Sequence, residues 1–353
     1  MPQSVLPQFW KDKRVLVTGH TGFKGSWLAL WLTQMGAQVS GFARPPATEP
    51  NLYTIAALQN LVSPGFGDLQ TYAEVEAAVE RSAPEIVFHL AAQPLVLRSV
   101  REPVETFATN VMGTVNLLAA LRKSPRLKVV LVVTTDKVYR NNNAPVPFRE
   151  SDTLGGHDPY SASKAATELA AAAFATSYFE AQGVSVATAR GGNVIGGGDF
   201  SEERLVPDIY RAVATNGELV LRHPEAIRPW QHVFDCLCGY LTYAQELHDG
   251  KNVPRAINFG PSAGEPIAVA TMANAMLEAL GRPPRWRADC PVASVEMQHL
   301  TLDSRLAHDV LGWSNQLPGM QAIQATADWY LAFRNGADMR AYTLASIEDF
   351  LTR

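Results

Sequence analysis

A glycine-rich segment between an apolar run and a helical pattern is the feature that most constrains how this chain can fold. Residues 19–25 have the spacing G-x-x-G-x-x-G, follow an apolar run at 15–17 and precede apolar residues at helical spacing. A turn of this kind brings backbone N–H groups close to a phosphate at the positive end of a helix. Only glycine allows that approach with the φ angles it needs. Because three glycines alone are weak evidence, it is the flanking strand and helix that predict a dinucleotide-binding β–α unit.

Short apolar runs alternate with helical patterns through the first half of the chain, which is typical of parallel sheets built from βαβ units. The runs predict strands at 14–18, 39–42, 61–66, 85–90, 128–134 and 184–190. The patterns between them predict helices at 23–35, 72–82, 104–124 and 161–182. After residue 190 the alternation is lost, and we predict helices at 207–215, 237–248 and 266–280 and a strand at 218–222.

These elements predict an α/β protein with a doubly wound parallel Rossmann sheet and a smaller, mixed lid that binds the substrate. We assign the Rossmann domain mainly to residues 1–190 and the lid mainly to residues 191–353, with interleaved segments. In the helix after Pro103, apolar residues at near-helical spacing are predicted to be buried. They are Phe107, Val111, Val115 and Leu118. The helix after Tyr160 is rich in alanine on all sides, which indicates either a subunit interface or only the high helix propensity of alanine.

Composition narrows the class of protein. The net charge is −4 and 18% of the residues are charged, so nothing favours binding to nucleic acid or to an anionic membrane. No apolar run approaches the ~20 residues of a membrane span, and residues 1–14 lack the features of a signal peptide. We expect that segment to be a loosely attached leader. The cysteines are Cys236, Cys238 and Cys290, an odd number without metal-site spacing, which favours a reducing cytoplasm.

Two residues at the start of a predicted helix point to proton transfer. Tyr160 and Lys164 are four positions apart and share one helix face. An ammonium group beside a phenol is expected to lower the pKa of the phenol and to prepare it for acid–base work. Thr135 ends a predicted strand, at the sheet edge where doubly wound folds bind ligands. Its hydroxyl could share a proton with Tyr160 when both contact a substrate alcohol. This argues against the alternative that Tyr160 and Lys164 are a surface pair without a function.

With these motifs the chain resembles the extended short-chain dehydrogenase/reductases that act on nucleotide sugars. The resemblance extends over nearly the whole chain and implies that Tyr160 is the base of a hydride-transfer step while Lys164 holds the nicotinamide ribose. The resemblance implies further cofactor contacts from Gly19, Thr21, Gly22, Phe23, Lys24, Gly25, Arg44, Asp68, Leu69, Leu90, Ala91, Ala92, Gln93, Asn110 and Thr134. It implies substrate contacts from Gln93, Asn193, Arg204, Arg228 and Gln231. The two arginines are included because the forked guanidinium group of an arginine is well suited to binding phosphate oxygens.

Within that family the chain is most similar to the 4,6-dehydratases that act on CDP-glucose. The resemblance rests on a series of strings in order: GHTGFKGSWL, AAQPLV, EPVETFATNVMGTVNLL, TTDKVY, GGHDPYSASK, GNVIGGGDF, RLVPDI and IRPWQHV. It implies an NAD-dependent hydro-lyase that oxidises sugar carbon 4, eliminates water across carbons 5 and 6, and returns the hydride to carbon 6. The product would be CDP-4-keto-6-deoxyglucose, a precursor for deoxysugar synthesis.

That reaction needs an acid and a base besides Tyr160. We hypothesise that Asp136 protonates the leaving hydroxyl and that Lys137 takes part in removing the carbon 5 proton, since the CDP-glucose branch carries Asp-Lys where many dTDP-glucose enzymes carry Asp-Glu. These roles need a raised pKa for Asp136 and a lowered pKa for Lys137. The alternative for this pair is an ion pair at the end of a strand.

Several positions leave specificity open. The chain departs from the family pattern at Leu97, Val100, His157 and Ala162, which puts the preferred sugar or nucleotide in doubt more than the reaction. His20, inside the glycine turn, could contact a cofactor phosphate or cap the loop.

The cofactor and the partners are expectations of the same kind. No acid ends the second predicted strand, and Arg44 could receive the 2′-phosphate of NADP. We nevertheless favour NAD, because the family uses it without that acid and the reaction regenerates its cofactor. The expected partners are CDP-glucose or a similar nucleotide sugar and further copies of the chain, as a homodimer or homotetramer. The alternatives are a dehydratase of another nucleotide sugar, a 4-epimerase and a catalytically silent dinucleotide-binding regulator.

Overall fold

The computed structural model describes residues 5–141, 143–261, 267–289 and 297–352. Cys290 and the first residue of the helix predicted at 266–280 lie outside the described residues. The strands, in chain order, are β1 (Arg14–Thr18), β2 (Gln38–Phe42), β3 (Ile86–His89), β4 (Val129–Thr135), β5 (Ser185–Gly191), β6 (Asn193–Ile195), β7 (Val220–Leu221), β8 (Ile227–Arg228), β9 (Trp230–His232), β10 (Ala256–Phe259), β11 (Ile267–Ala268) and β12 (Arg287–Ala288).

Helices surround these strands. The α-helices, in chain order, are α1 (Pro7–Trp10), α2 (Phe23–Gln34), α3 (Leu52–Ile55), α4 (Tyr72–Ser82), α5 (Val96–Arg101), α6 (Pro103–Phe107), α7 (Gly113–Leu121), α8 (Pro159–Phe174), α9 (Leu205–Ala214), α10 (Val233–His248), α11 (Val269–Ala279), α12 (Arg305–Leu311), α13 (Met320–Arg334) and α14 (Met339–Leu351). A π-helical turn over Ala108–Met112 joins α6 to α7, and another over Ala175–Phe179 extends α8. Short 3-10 turns span Leu58–Asn60, Asp136–Val138 and Glu180–Gln182. No helix among the described residues is long and apolar enough to cross a membrane.

A six-stranded parallel sheet in the order β10-β5-β4-β3-β1-β2 forms the centre of the molecule. Every residue of β3 and β4 is buried, as expected when helices cover both faces of a parallel sheet. One face packs against α2 and α10, and the other packs against α4, α7 and α8. The strand order reverses at β1, so a ligand is expected at the carboxyl ends of the strands near this point. The predicted fold, a doubly wound Rossmann sheet, is confirmed.

The second half of the chain contributes to this sheet and also covers its carboxyl edge. β10 pairs with β5 and completes the sheet, and α10 packs on β4 and β5. The remaining strands form two-stranded ladders: β6 with β9, β7 with β12, and β8 with β11. These ladders, together with α9 and α11, form the mixed layer above the edge.

Three local predictions are wrong. The segment 61–66 is not a strand, although it runs parallel to β2 through the isolated bridges Ser40–Ser63 and Ala43–Phe66. The leader is not loosely attached over its described part, because Trp10 is fully buried and lies 5.9 Å from the ring of Phe88. Leu118 is buried as predicted, whereas Val111 and Val115 are half-buried and Phe107 is exposed.

Candidate functional site

A cleft of about 300 Å³ lies at the carboxyl edge of the sheet, beneath the mixed layer. The predicted site residues that line it are Phe23, Lys24, Leu90, Ala92, Thr134, Thr135, Lys137, Tyr160, Lys164, Asn193, Arg204 and Arg228. The predicted residues outside its lining are Gly19, Thr21, Gly22, Gly25, Arg44, Asp68, Leu69, Ala91, Gln93, Asn110, Asp136 and Gln231. The cleft therefore gathers residues from both halves of the chain, including most of the predicted acid–base groups.

The glycine turn has the geometry that a pyrophosphate requires. Gly19 has φ +76°, and a Cβ atom there would lie 2.7 Å from the backbone nitrogen of Ala91. A Cβ atom on Gly25 would lie 2.0 Å from the carbonyl oxygen of Gly19, so the first turn of α2 can fit under the loop only with glycine. No side chain among the described residues caps the start of α2 at Gly22. Its first N–H groups therefore remain available to phosphate oxygens.

His20 packs inside this turn. Its ring is fully buried, lies edge-on to Tyr53 at 5.4 Å and occupies the space where a Cβ atom on Gly41 would come within 2.4 Å. Burial lowers the pKa of His20 to about 4, so the ring is neutral. Neither ring nitrogen has a hydrogen-bond partner among the described residues. This environment favours a packing role in the loop over contact with a phosphate.

Arg44 lies between two carboxylates at the end of β2. Its guanidinium is 2.6 Å from a carboxylate oxygen of Asp68 and 2.7 Å from one of Glu105, and its carbonyl oxygen accepts a hydrogen bond from Thr21. The two negative charges neutralise Arg44 and would repel a second phosphate on the adenosine ribose. The local charge therefore favours NAD over NADP.

The loop after β3 is held by amide side chains. The side chain of Asn110 accepts a hydrogen bond from the backbone nitrogen of Gln93 (2.8 Å) and donates to the backbone carbonyl oxygen of Gln93 (3.1 Å). It also donates to the hydroxyl of Ser163 (2.9 Å). The side chain of Gln93 donates to Leu95 and Thr106. Both amides are thus directed at the protein, and their predicted contacts with ligands stay a prediction.

Tyr160 and Lys164 are both buried in the first two turns of α8, at the wall of the cleft. Asp158 caps this helix by accepting a hydrogen bond from the backbone nitrogen of Ser161 at 2.9 Å. The ammonium of Lys164 donates to the carbonyl oxygen of Val133 at 3.0 Å, which ties the helix to β4. Thr135, at the end of β4, hydrogen bonds with Tyr160, and the predicted sharing of a proton over a substrate alcohol stays a prediction.

The pKa of Tyr160 departs from the predicted direction. Burial raises it to about 12, and the hydrogen bond with Thr135 only partly offsets this effect. The prediction that Lys164 lowers this pKa is therefore wrong for the protein alone. Burial also lowers the pKa of Lys164 itself to about 7, and the nearby Lys24 adds to that shift. Desolvation is the largest cause of both shifts, because burial disfavours the charged form of each group.

Asp136 and Lys137 form an ion pair in the 3-10 turn that follows β4. Asp136 is fully buried, and its Oδ1 accepts hydrogen bonds from Thr135 (2.8 Å) and from the Lys137 ammonium (3.0 Å). Lys137 also reaches the side-chain oxygen of Asn193 at 3.4 Å. The second oxygen of Asp136 has no hydrogen-bond partner among the described residues. A buried carboxylate oxygen in this condition often marks a functional group.

Two arginines from the second half of the chain line the cleft. Arg204 pairs with the buried Asp199 at 3.0 Å and begins the segment that leads into α9, while Arg228 is buried at the end of β8. Gln231 is buried and donates to Asn315 at 3.0 Å. Arg204 and Arg228 thus line the cleft, whereas Gln231 lies behind the lining, and the predicted substrate contacts of all three stay a prediction.

The departures from the family pattern fall in different places. Leu97 lines the cleft and Val100 is exposed on α5. Between them, Ser99 is buried and accepts a hydrogen bond from the backbone nitrogen of Tyr160 at 3.1 Å. His157 contacts the carbonyl oxygen of Asn141. Of these positions, Leu97 has the direct route to affect a ligand in the cleft.

The sequence analysis missed several charged residues of the lining. Asp199, Glu203, Asp208 and Arg222 face the cleft beside Arg204. The signal that could have found the first two is the run of charges directly after the glycine-rich residues 196–198. No cluster of three or more His, Cys, Asp or Glu side chains among the described residues could hold a metal ion.

Comparisons with known proteins agree with this geometry. The sequence profile of the NAD dependent epimerase/dehydratase family matches residues 15–260. CDP-glucose 4,6-dehydratase of Salmonella typhimurium is 41% identical over 98% of both chains, and dTDP-glucose 4,6-dehydratase of Xanthomonas campestris pv. campestris is 29% identical over 90% of this chain and 92% of its own. The crystal structure of UDP-glucose 4-epimerase from Thermotoga maritima superimposes with a TM-score of 0.80 at 23% identity, covering 91% of this chain and 99% of the other.

Proposed function

Because the chain belongs to the NAD-dependent epimerase/dehydratase family, we propose that it is a hydro-lyase that converts CDP-glucose to CDP-4-keto-6-deoxyglucose and water. The relative that carries the name of this activity matches over the full length of the chain, which confirms the prediction from sequence. The structural observation that carries the proposal is that Tyr160, Lys164 and Lys137 line one cleft, with Asp136 paired to Lys137 directly behind the lining. Tyr160 and Lys164 lie on α8, and Asp136 and Lys137 follow β4 beside them.

The residues of the cleft fit NAD, which when bound takes a hydride from sugar carbon 4 and later returns it to carbon 6. The glycine turn at 19–25 would hold the pyrophosphate, because its backbone is open to a close approach. Leu90 and Ala92 would flank the nicotinamide end, and Lys164 would bind its ribose. Arg44, paired with Asp68 and Glu105, would border the adenosine end.

Tyr160 is proposed to accept the proton of the carbon 4 hydroxyl. With a pKa of about 12 the phenol keeps its proton at neutral pH, so positive charge near the phenol oxygen has to favour the phenolate. Arg204 already acts in that direction, and Thr135 contributes a hydrogen bond. The ammonium form of Lys164 would add to both.

Asp136 and Lys137 are proposed to carry out the elimination. In the structure they form the charged pair, in which Lys137 donates to Asp136 at 3.0 Å. Transfer of that one proton to Asp136 yields a neutral amine and a carboxylic acid, which are the forms the elimination needs. The amine would then take the proton from carbon 5, acidified by the adjacent ketone, while the carboxylic acid protonates the departing carbon 6 hydroxyl as water. Return of a proton from the Lys137 ammonium to carbon 5 would complete the product. Asn193 would hold the amine on the cleft side.

The test is incubation of the purified protein with CDP-glucose, dTDP-glucose, UDP-glucose and GDP-mannose, with and without added NAD+, followed by mass spectrometry for loss of water. We expect CDP-glucose to be dehydrated. Asp136→Asn and Lys137→Met should each lower turnover by about 100-fold or more, as expected for loss of a general acid or base. Turnover of another donor would contradict the nucleotide assignment, and epimerisation without dehydration would contradict the reaction. Near-normal activity of both variants would contradict the roles of Asp136 and Lys137.

A second copy of the chain is the proposed protein partner. The continuous helix from α6 to α7 packs beside α8, and both carry apolar side chains that are exposed to solvent. Val104 is 81% exposed, Phe107 40%, Met112 53% and Leu169 63%. We propose that these side chains form one self-association surface, which a twofold axis would pair with itself in a four-helix layer. The proposed state is a homodimer through this surface, or a homotetramer that contains it.

The proposed location is the cytoplasm. Cys236 and Cys238 are buried in α10 and are not joined in a disulfide among the described residues, which agrees with a reducing compartment.

A further inference from the structure

A buried ion pair lies directly behind the cleft. Glu168 on α8 and Arg190 on β5 are 2.9 Å apart, and both side chains are at least nine-tenths buried. One carboxylate oxygen of Glu168 accepts hydrogen bonds from Thr134 and Arg190, and the other accepts from Thr188 (2.7 Å) and Arg190. The carboxylate therefore has four donors and no spare capacity for a ligand.

Glu168 and its hydrogen-bond partner Thr134 lie close to the proposed acid–base groups along α8 and β4. Glu168 lies one turn after Lys164 and two turns after Tyr160, on the same face of α8. Thr134 directly precedes Thr135 at the end of β4. Glu168 thus joins the helix that carries the oxidation pair to the strand that leads into the elimination pair.

Tyr139 extends the connection to the elimination pair. It directly follows the 3-10 turn of Asp136 and Lys137, and its hydroxyl accepts a hydrogen bond from Arg190 at 2.8 Å. The same hydroxyl donates to Asn258 at 2.6 Å. The ring is fully buried, so the contact with Arg190 is shielded from water.

We propose that Glu168 and Arg190 are positioning residues that set the oxidation pair, Tyr160 and Lys164, relative to the elimination pair, Asp136 and Lys137, with Tyr139 as the link to the second pair. This inference rests on the proposed function. A buried ion pair is weak evidence for stability, since apolar residues of similar volume often serve as well. A fully satisfied network does fix geometry, and the reaction demands a fixed geometry because one sugar must meet both pairs in turn.

The network predicts that its two ends can be separated experimentally. Tyr139→Phe removes the hydroxyl and keeps the ring, which stacks on Phe148 with centroids 5.0 Å apart. Arg190 keeps Glu168 and the carbonyl oxygen of Glu150 as acceptors. The matched control is Thr188→Val, which removes one hydrogen bond to the same carboxylate on the β5 side, away from both pairs.

The test follows the two steps separately in single-turnover reactions with CDP-glucose. Reduced nicotinamide absorbance reports oxidation at carbon 4, and loss of water, followed by mass spectrometry of samples quenched over time, reports elimination. In Tyr139→Phe we expect oxidation at the parent rate and elimination slower by about tenfold, so that reduced cofactor accumulates. In Thr188→Val we expect both steps to stay at the parent rate, with at most a lower Tm.

Other outcomes would overturn the inference. If Tyr139→Phe slowed neither step, or slowed both steps equally, or if Thr188→Val slowed elimination as much as Tyr139→Phe does, the pair would be structural only. A second variant, Glu168→Gln, keeps the shape of the side chain without its charge and should slow both steps; parent rates for both would also overturn the inference. Failure of the proposed function would be visible in the parent chain, which would then dehydrate no nucleotide sugar. Failure of this inference would be visible only in variants of an active parent.

Discussion

At the scale of single residues, Lys164 is the side chain of the cleft whose charge pH controls most directly. Burial lowers its pKa to about 7, Lys24 lowers it further, and Glu168 opposes them. In the unfolded chain the ordinary value is 10.5, so between about pH 7 and about pH 10 the unfolded state binds one more proton at this site. Stability therefore rises with pH across that window, and the contribution of Lys164 is least favourable below it.

The predicted rise of stability with pH can be measured. We expect the Tm of the parent, prepared without NAD, to gain on that of Lys164→Met as the pH rises from about 6.5 to about 9, in differential scanning calorimetry. Lys128→Met, at an exposed lysine before β4, is the control and should show no such trend. A difference between parent and Lys164→Met that stays constant with pH would contradict the lowered pKa.

Cofactor choice is also decided by a few side chains. Asp68 and Glu105 hold Arg44 from two sides, and their charges would oppose the 2′-phosphate of NADP. The double variant Asp68→Asn with Glu105→Gln should release Arg44 and tighten NADP binding by about tenfold, roughly 1.4 kcal/mol, relative to NAD. Titration calorimetry with each cofactor measures this ratio. Glu102→Gln, at a carboxylate that pairs with Arg98 instead, is the control, and an unchanged ratio in the double variant would contradict the argument.

At the scale of elements, the glycine turn is the part that tolerates the least change. In Gly25→Ala the new Cβ atom would meet the carbonyl oxygen of Gly19 at 2.0 Å, which is backbone and cannot move aside. We expect a loss of about 1–3 kcal/mol in the free energy of unfolding and weaker NAD binding, measured by urea denaturation and by titration. In Gly22→Ala the same atom would lie at 3.4 Å, an ordinary contact, so the loss of stability should be much smaller. Equal losses in the two variants would contradict the steric explanation.

The elements that the sequence could predict are those with a strong local signal. β1 to β5 and α2 and α4 follow apolar periodicity and the glycine turn, and their bounds agree with the prediction to within about two residues. β10 was missed because a four-residue strand inside an irregular region carries little periodicity, and only its pairing with β5 defines it. The opposite error is the segment 61–66, where Pro64 lacks an N–H group and only isolated bridges form beside β2.

The candidate site likewise has features that the sequence could predict and features that it could not. The types of residue in the cleft and their positions on α8 and β4 could be predicted, because motif spacing and strand ends place them. The pKa of Tyr160 could not, because its direction depends on burial by segments far away in the sequence. The directions of the Gln93 and Asn110 side chains, which bind the loop after β3, also depend on tertiary contacts.

At the scale of the whole molecule, the two halves of the chain are combined in one sheet and one cleft. Residues after 190 supply β10 to the sheet, Arg204 and Arg228 to the cleft, and α13, whose Tyr330 hydrogen bonds with the carbonyl oxygen of Asp199. The assignment of cofactor binding mainly to residues 1–190 and of nucleotide-sugar binding mainly to residues 191–353, with interleaved segments, stays a prediction, and the described structure joins the two parts through one sheet and one cleft.

The exposed apolar surface on α6–α7 and α8 leads to the last prediction, which concerns assembly. Phe107 was predicted to be buried from its helical spacing, and the proposed dimer would bury it against a second copy. Leu169→Glu places a charge on that proposed surface and should convert the dimer to monomer, or a tetramer to smaller species, in light scattering after gel filtration. Val146→Glu changes a residue that is 65% exposed on a loop away from these helices and should leave the assembly intact. A monomeric parent, or a Leu169→Glu variant with the parent's mass, would contradict a self-association surface here.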